Sequence, residues 1–254
     1  MDLISKEKTY EIIEICLLAG KIMLKNGAET YRVEDTMTRI ATAYGAEYSD
    51  SFVTPTGIIF SVEGTEPTKT KLIRIIERTT NLEKVVKVND ISRKISAGGL
   101  TIAQAYYLLN EIENEPKTYS DFMQVMAAAI ASGCFLIMFQ GVWGDFLPAV
   151  AAGGIGFLCS VYFHRLVPIK FFAEFLAAFL IGLIAFAAVR FGVGAEVDKI
   201  IIGSVMPLVP GLLITNAVRD LMAGHLVSGI SKGAEAFLTA FAIGSGIAVL
   251  FVLL

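Results

Sequence analysis

The stretch FFAEFLAAFLIGLIAFAAV, residues 171–189, carries one charged residue, Glu174, in 19 positions. At about 1.5 Å per residue, a helix of this length reaches roughly 28 Å, close to the hydrocarbon thickness of a bilayer, about 30 Å. A stretch so long and so apolar is typical of a transmembrane helix. The sequence therefore predicts that this segment crosses a membrane.

Similar apolar segments of 18 or 19 residues lie on both sides of this stretch, at 122–140, 146–163, 200–218 and 236–254. Residues 122–254 hold only 6 of the 21 Lys and Arg and 6 of the 24 Asp and Glu. A buried bundle in a soluble protein would need a polar shell, which this half of the chain does not contain. We therefore predict a transmembrane domain of five helices over residues 118–254.

The first part of the chain has the opposite character, because residues 1–121 hold 15 of the 21 Lys and Arg and 18 of the 24 Asp and Glu. Apolar residues at helical spacing predict helices at 6–26, 30–44 and 82–96, and a fourth that starts at Thr101. A strand, turn and strand surround Thr54-Pro55-Thr56-Gly57, and a third strand is predicted at 70–76. The predicted fold is an α-helical integral membrane protein with an N-terminal α+β domain, residues 1–117.

The placement of Lys and Arg predicts the orientation in the membrane. The first residues lack the pattern of a signal peptide, so we expect the N-terminal domain to be cytoplasmic. With Lys117 inside, the inner loops hold Arg165, Lys170, Arg219 and Lys232, and the outer loops hold Arg190 and Lys199. This excess agrees with the positive-inside rule. The prediction is a multi-pass protein of a bacterial or archaeal plasma membrane with its C-terminus outside.

The fourth span, IIIGSVMPLVPGLLITNAVRD at 200–220, differs from the others. Pro207 and Pro210 each remove a backbone donor and clash with the preceding turn, and Gly211 follows them. An interrupted helix exposes polar backbone at membrane depth, which many secondary transporters use to bind substrate. We expect a substrate site here, with hydrogen bonds from Ser204, Thr215 and Asn216; a merely kinked structural helix is the alternative.

Other features of the apolar half have two interpretations each. Glu174 lies inside a span, where an acid is a functional candidate, but its side chain could instead extend to the inner surface. Small residues recur at four-residue spacing, which predicts close helix packing; a pore lining is the alternative. These seams are Ala149-xxx-Gly153, Ala152-xxx-Gly156 and Ala240-xxx-Gly244-xxx-Ala248.

The sequence contains none of several motifs that are typical of ATP-driven, hydrolytic or metal-binding proteins. The chain contains no Walker A motif, no GxSxG and no HExxH, and its three cysteines form no CxxC pair. We therefore expect no metal site, no cofactor and no ATP-driven pumping. Without a basic run, binding to nucleic acid is not indicated.

Four segments together resemble one family of transporters. They are GAETYRVEDTMTRIATAYGA (27–46), FVTPTGIIFSV (52–62), NLEKVVKVNDISRKISAGGLTIAQA (81–105) and GSVMPLVPGLLITNAVRDLMAGHLVSG (203–229). In this order they resemble the threonine/serine exporter family, specifically the larger chain of its split form. The resemblance implies export of small polar amino acids or small carboxylates. It also implies a second, shorter membrane chain as partner, and so a hetero-oligomer in the lipid bilayer.

The resemblance also marks candidate site residues. They are Gly27, Glu29, Arg32, Glu34 and Asp35, then Thr54, Pro55, Thr56 and Gly57, and finally Pro207, Pro210, Gly211, Asn216, Arg219 and Asp220. The N-terminal residues would form a cytoplasmic vestibule or gate. The alternatives are a solvated helix face with ordinary ion pairs, a plain tight turn, and, for Arg219 and Asp220, an anchor at the inner surface.

The leading hypothesis is a subunit of a secondary exporter for threonine- or serine-like amino acids or small carboxylates. One alternative is a component of an exporter for small dicarboxylates such as succinate. Another is a membrane-anchored hydrolase that uses Glu29, Asp35, Thr54 and Thr56. A last alternative is a regulatory subunit.

Overall fold

A computed structural model describes residues 6–63, 68–116, 118–167, 169 and 171–253. Lys117, Lys170 and Leu254, which the predicted topology used, lie outside the described residues. The chain divides into two compact units. Unit 1 is Met1–Pro116 with Leu212–Ala234, and unit 2 is Lys117–Gly211 with Glu235–Leu254.

The N-terminal segment of unit 1 has the predicted α+β composition. Its elements are α1 (Lys6–Lys25), α2 (Thr30–Ala43), β1 (Ser49–Thr54), β2 (Gly57–Val62), β3 (Lys69–Arg74), α3 (Leu82–Ser96) and α4 (Ile102–Asn114). The third strand ends at Arg74 rather than at residue 76. A capping box at Thr101 and Gln104 starts α4, because each residue's side chain accepts a hydrogen bond from the other's backbone N–H.

The strands form one antiparallel sheet in the order β1-β2-β3, with β1 and β3 at its edges. Val53, Ile58 and Phe60 are buried in the same apolar core as α1 and α2. Alternate residues of a strand point to opposite faces, so this pattern places the other face of the sheet away from that core. The sheet is thus covered by helices on one side.

Gly27 sets the direction in which the chain enters α2. Its φ of +94° is in the left-handed region that glycine adopts readily. The N–H groups of Gly27 and Ala28 donate to the carbonyls of Leu24 and Met23, which closes the end of α1. The chain therefore turns sharply at Gly27 and starts the next helix at Thr30.

The remaining elements are all helical. They are α5 (Asp121–Met138), α6 (Phe146–Leu166), α7 (Phe172–Arg190), α8 (Val197–Val205), α9 (Gly211–Met222) and α10 (Leu226–Leu253). In the described part of the chain, four helices are long and apolar enough to cross a membrane, and α8 with α9 adds a fifth span if the bent pair counts as one. The last helix begins at Leu226 rather than at the predicted residue 236.

Two of the three predicted small-residue seams pack as expected. A Cβ at Gly153 would meet the side chain of Ser132, and one at Gly156 would meet Ile181. The third seam was wrong for this chain, because Ala240, Gly244 and Ala248 are exposed. The packed face of α10 lies two positions further on, at Ala242, Gly246 and Leu250, since small residues recur on both faces of this helix.

Gly246→Ala is expected to destabilise unit 2 by about 1–3 kcal/mol, the usual cost of overpacking. The added Cβ would meet the backbone oxygen of Phe175 and lie 3.1 Å from the backbone nitrogen of Phe179, and neither atom can move without moving α7. Gly244→Ala is the matched control, because a Cβ there meets nothing within 4 Å. Thermal unfolding in detergent checks both variants; equal losses would contradict the packing described here.

Asp145 holds the loop in front of α8. Its fully buried carboxylate accepts the N–H groups of Ala195 at 2.6 Å and of Glu196 at 3.0 Å. Lys199, in the first turn of α8, donates to the carbonyl of Phe139 at 2.9 Å. These bonds fix the start of the fourth apolar segment.

Candidate functional site

The fourth apolar segment is broken, as its two prolines predict. After α8 the chain forms a short 3-10 turn, Met206–Leu208, and α9 begins at Gly211. Val209 is extended (φ −64°, ψ 129°), the conformation favoured before a proline. The stretches Val197–Leu208 and Gly211–Met222 are bent by 60° relative to each other. The prolines therefore interrupt the helix rather than merely curve it.

The candidate residues around the break differ in how far they are buried. Pro207 lies in the 3-10 turn and is half-buried, whereas Gly211 is exposed and a Cβ on it would meet nothing within 4 Å. The hydroxyl of Thr215 donates to the carbonyl of Leu212, and Thr215 is exposed while Asn216 is buried. Thr215 and Asn216 therefore lie on different faces of α9 and do not act as one pair of hydrogen-bonding groups.

One face of α9 carries three of the candidate residues, Asn216, Arg219 and Asp220. Residues three and four positions apart lie on the same side of a helix, so these side chains point in one direction. Each of them contacts the segment that leads into α2, about 190 positions earlier in the chain. Unit 1 thus contains a polar contact surface between α9 and the start of α2.

Glu29 is the anion that two arginines bind at one end of this surface. Arg219 donates to its Oε1 at 2.5 Å and Arg32 to its Oε2 at 3.3 Å. Burial raises the pKa of the Glu29 carboxyl, but its hydrogen bonds and the charges of Arg32 and Arg219 outweigh burial and hold the pKa below its usual range. In addition to these ion pairs of Glu29, the Asn216 side chain donates to the carbonyl of Gly27 at 2.9 Å.

Asp220 is fully buried, and its carboxylate has three donors. The N–H of Thr30 donates to Oδ1 at 2.9 Å, and the hydroxyl of Thr30 donates to Oδ2 at 2.8 Å. Lys232 donates to Oδ2 at 2.7 Å. Glu29 makes no side-chain cap on α2, so Asp220 supplies the anion that the N-terminus of that helix favours. The arrangement joins α2, α9 and α10 through one carboxylate.

Lys232 is the site residue that sequence reasoning missed. The sequence pattern predicts an inner loop at Lys232, but this residue lies in α10 with only 4% of its side chain exposed. The segment SGISKGAEA, with one lysine among small residues, is typical of a loop when it is taken alone. Its pairing partner, Asp220, is twelve positions away and is not evident from this segment. One feature of the sequence could have predicted the ion pair. An acidic residue, Asp220, and a basic residue, Lys232, lie on opposite sides of Gly224, where the chain turns with a φ of +85°.

Thr30→Val is expected to destabilise unit 1 by about 1–3 kcal/mol, because it removes a buried hydrogen bond to a carboxylate while keeping the shape of the side chain. Thr30→Ser keeps the hydroxyl and should cost much less. Apparent melting temperatures of the purified chain check this prediction. A serine variant as unstable as the valine variant would show that the methyl group, not the hydroxyl, matters.

A second cluster lies one turn further along α2. Oε1 of Glu34 accepts the N–H of Val53 in β1 at 3.0 Å, and the hydroxyl of Ser228 donates to the carbonyl of Val53 at 2.9 Å. Nδ1 of His225 lies 3.7 Å from Oε2 of Glu34. Burial raises the pKa of the Glu34 carboxyl, and Asp220 adds to the rise, while Val53 and His225 oppose it.

The other N-terminal candidates have local partners. Asp35 pairs with Arg39 on the exposed side of α2. The hydroxyl of Thr54 donates to the carbonyl of Gly57 at 3.1 Å and lies 3.5 Å from that of Thr56, so both serve the hairpin turn. The structure thus engages Glu29 and Glu34 with α9 and α10, and gives Asp35, Thr54 and Thr56 local structural contacts.

Glu174 belongs to unit 2. It lies in the first turn of α7, and 15% of its side chain is exposed. Its Oε1 is 3.6 Å from Nε2 of His164, while its buried Oε2 has no hydrogen-bond partner among the described residues. Glu174 therefore lies largely within unit 2, beside a histidine at the end of α6.

Comparison with known proteins adds to this geometry. Residues 14–254 match a family described as "Putative threonine/serine exporter". The chain is 24% identical over 247 residues to the "Probable succinate transporter subunit YjjP" of Klebsiella aerogenes, covering 95% of this chain and 93% of that protein. It is 24% identical over 255 residues to the "Threonine/serine exporter" of Corynebacterium glutamicum, covering 97% of this chain and 52% of that protein.

A "Probable threonine/serine exporter" of Mycobacterium tuberculosis is 22% identical over 235 residues, which cover 91% of this chain and 44% of that protein. The chain therefore spans about half the length of these two exporters and nearly all of the succinate transporter subunit. No solved structure matches it. Because the family match covers nearly the whole sequence, and several helices are suited to crossing a membrane, this chain is a multi-pass membrane protein of the threonine/serine exporter family.

Proposed function

We propose that this chain is one subunit of a secondary exporter, which moves a small polar amino acid or a small carboxylate out of the cell together with a second, shorter membrane chain. The observation that carries this function is the break in the fourth apolar segment at Val209 and Pro210. A helix that only anchors a domain has no need of such a break.

The break supplies what a small zwitterion or anion requires. Helix ends leave backbone N–H and C=O groups without partners inside the helix, and at membrane depth these groups are tolerated beside protein or in a water-filled cavity. The N-terminal end of α9 has a partial positive charge, which favours a carboxylate. Threonine, serine and succinate all carry a carboxylate. We therefore place the substrate at residues 206–211.

The contacts within unit 1 support a gating role for the cytoplasmic residues. Glu29 and Thr30 hold α9 through hydrogen bonds, and Glu34 lies 3.7 Å from His225 in the turn before α10. Because α9 is the second half of the broken segment, these bonds act directly on the helix that follows the substrate site. In this proposal residues 1–117 lie in the cytoplasm, and release of α9 from α2 opens the path.

The partner chain is inferred from the relatives. YjjP is named as a transporter subunit, and the similarity covers 93% of one such protein and 94% of another, from Escherichia coli. The two threonine/serine exporters are about twice as long as the matched region. The unmatched half would supply further helices, which we place in the second chain.

The succinate transporter subunits favour a second substrate class, small dicarboxylates. Both substrate classes use the same chemistry at the helix end, so the structure suits either one. The distinction lies in what binds the other end of the substrate, an ammonium group in one case and a second carboxylate in the other.

A counterflow assay tests this function. Both chains are reconstituted in vesicles loaded with one unlabelled compound from a panel of threonine, serine, succinate and lysine, and uptake of the same labelled compound is followed. We expect transient accumulation for at least one of the first three compounds and none for lysine. Absence of accumulation for all of them, with the chains correctly inserted, would contradict the proposal.

A further inference from the structure

Glu29 shares its carboxylate between two arginines, so the charges of this cluster are unequal. Arg219 of α9 donates to Oε1 at 2.5 Å, and Arg32 of α2 donates to Oε2 at 3.3 Å. Elsewhere on α2, by contrast, Arg39 has a carboxylate of its own in Asp35. Because guanidinium groups stay protonated at ordinary pH, Glu29 neutralises only one of its two arginines. One positive charge therefore remains at the start of α2.

The neighbouring acids do not neutralise this charge. Asp220 follows Arg219 in the sequence, but its carboxylate is bound by Lys232 at 2.7 Å. Glu34 lies further along α2 and accepts the N–H of Val53 at 3.0 Å. Among the described residues, no second acid forms an ion pair with either arginine of the cluster. The surplus of one positive charge is thus a property of the cluster itself.

Water reaches the two arginines of this cluster but hardly reaches the acid. The exposed fraction of the side chain is 61% for Arg219 and 40% for Arg32, against 7% for Glu29. Each arginine bonds Glu29 through Nη1, and its Nη2 and Nε groups have no other partner among the described contacts. A guanidinium can hold a carboxylate with two parallel N–H bonds. The surplus charge and the available donors are therefore open to a small anion from water.

Arg32 lowers the cost of releasing Arg219 from Glu29. Arg32 and Glu29 are three positions apart at the start of one helix, so their contact does not depend on α9. A buried carboxylate that lost its only cation would be strongly destabilised. Here one cation stays with the carboxylate when the other leaves. An incoming carboxylate can therefore take Arg219 without leaving Glu29 unpaired.

We propose that Arg219 binds a carboxylate of a small organic anion in competition with Glu29, and that it binds a dicarboxylate such as succinate more tightly than threonine. A dianion neutralises the surplus positive charge, whereas a zwitterion brings no net charge. Arg219 belongs to unit 1 and the helix break to unit 2, so this is a second site. Its part in transport rests on the proposed function, because an anion that takes Arg219 loosens α9 from α2.

Equilibrium binding of labelled succinate to the purified full chain tests the proposal. The chain is measured alone, in non-ionic detergent at pH 7 and low salt. We expect saturable binding that weakens as salt is added and that unlabelled threonine displaces poorly. Absence of saturable binding, or displacement by threonine as effective as by succinate, would overturn the proposal. The measurement needs neither transport nor the partner chain, so its outcome is independent of the counterflow assay.

Glu29→Gln gives the sharpest sign, because it removes the competing charge and keeps the shape of the side chain. We expect succinate to bind this variant about three- to tenfold more tightly. Arg219→Gln should weaken binding by at least about tenfold, the usual effect of losing a hydrogen-bonded charge. Arg39→Gln is the matched control on α2 and should bind as the wild type does.

Apparent melting temperatures show which of these variants are folded. Binding to folded Glu29→Gln that is equal to or weaker than wild-type binding would overturn the competition. If Glu29→Gln does not fold, Arg219→Gln decides, since undiminished binding to that variant would overturn the site.

Two further measurements separate this site from other places where an anion could bind. Succinate binding that is lost in the Pro207→Ala, Pro210→Ala variant but unchanged in Arg219→Gln would place succinate at the helix break. That result would overturn this inference and leave the proposed function standing. Phosphatidylglycerol added to the micelles should leave most succinate binding intact. If a small fraction of this lipid abolished the binding, the arginines would belong to a lipid headgroup, which would also overturn the inference.

Discussion

Replacing Asp220 by asparagine is expected to destabilise unit 1 by about 3–5 kcal/mol, because the variant leaves a buried cation without its anion. Lys232 has 4% of its side chain exposed, and its other described contact is the hydroxyl of Thr30 at 3.3 Å. We also expect export to be lost, since α9 is no longer held at the start of α2 and the proposed path can no longer close. The apparent melting temperature in detergent, measured beside counterflow, checks both effects.

A double variant separates pairing from general damage. Asp220→Leu with Lys232→Met removes both charges and fills the space with apolar side chains, which is often nearly neutral for a buried pair. We expect this variant to lose less stability than the sum of the two single substitutions, while it still loses the two hydrogen bonds from Thr30 to Asp220. Additive losses would mean that the two side chains act independently and that their contact is not a working ion pair.

Pro207→Ala combined with Pro210→Ala is expected to abolish export while leaving insertion into the membrane intact. A proline in a helix interior costs about 3 kcal/mol relative to alanine, so the double variant favours one continuous helix. That helix would remove the separate N-terminal end of α9, whose partial positive charge the proposed site uses. Counterflow and the amount of inserted protein are measured on the same vesicles.

Gly244→Ala is the control for the proline variant, because Gly244 lies in α10 and outside the proposed site. A Cβ at Gly244 meets nothing within 4 Å, so the substitution does not disturb the packing of the chain. We expect it to keep most of the activity. Undiminished counterflow in the proline variant would contradict the proposed site, and a loss as severe in Gly244→Ala would show that the break itself is not what matters.

Local patterns were enough to predict most elements of this fold. Long apolar stretches at the membrane length located α5, α6 and α7, and the change from helical to alternating periodicity located the hairpin around Thr54 and Gly57. Pro207 and Pro210 predicted the broken helix. Each of these features depends on residues that are neighbours in sequence, which is where sequence patterns are informative.

The contacts of the candidate site depend on residues far apart in the chain. The resemblance marked Glu29, Arg219 and Asp220 one by one, but no periodicity pairs Glu29 with Arg219, or Thr30 with Asp220. The burial of Lys232 was missed for the same reason, because the acid that neutralises it, Asp220, is twelve positions away in the sequence. The packed face of α10 was predicted wrongly for a different reason, because small residues occupy both faces of this helix and the sequence does not distinguish them.

The most direct test of the central claim measures substrate flux from vesicles that hold this chain, the shorter partner chain, or both at matched amounts. We predict rapid flux only with both chains, and loss of that flux in the Pro207→Ala, Pro210→Ala variant. Full flux from the partner alone would contradict this prediction and would make this chain a regulatory subunit.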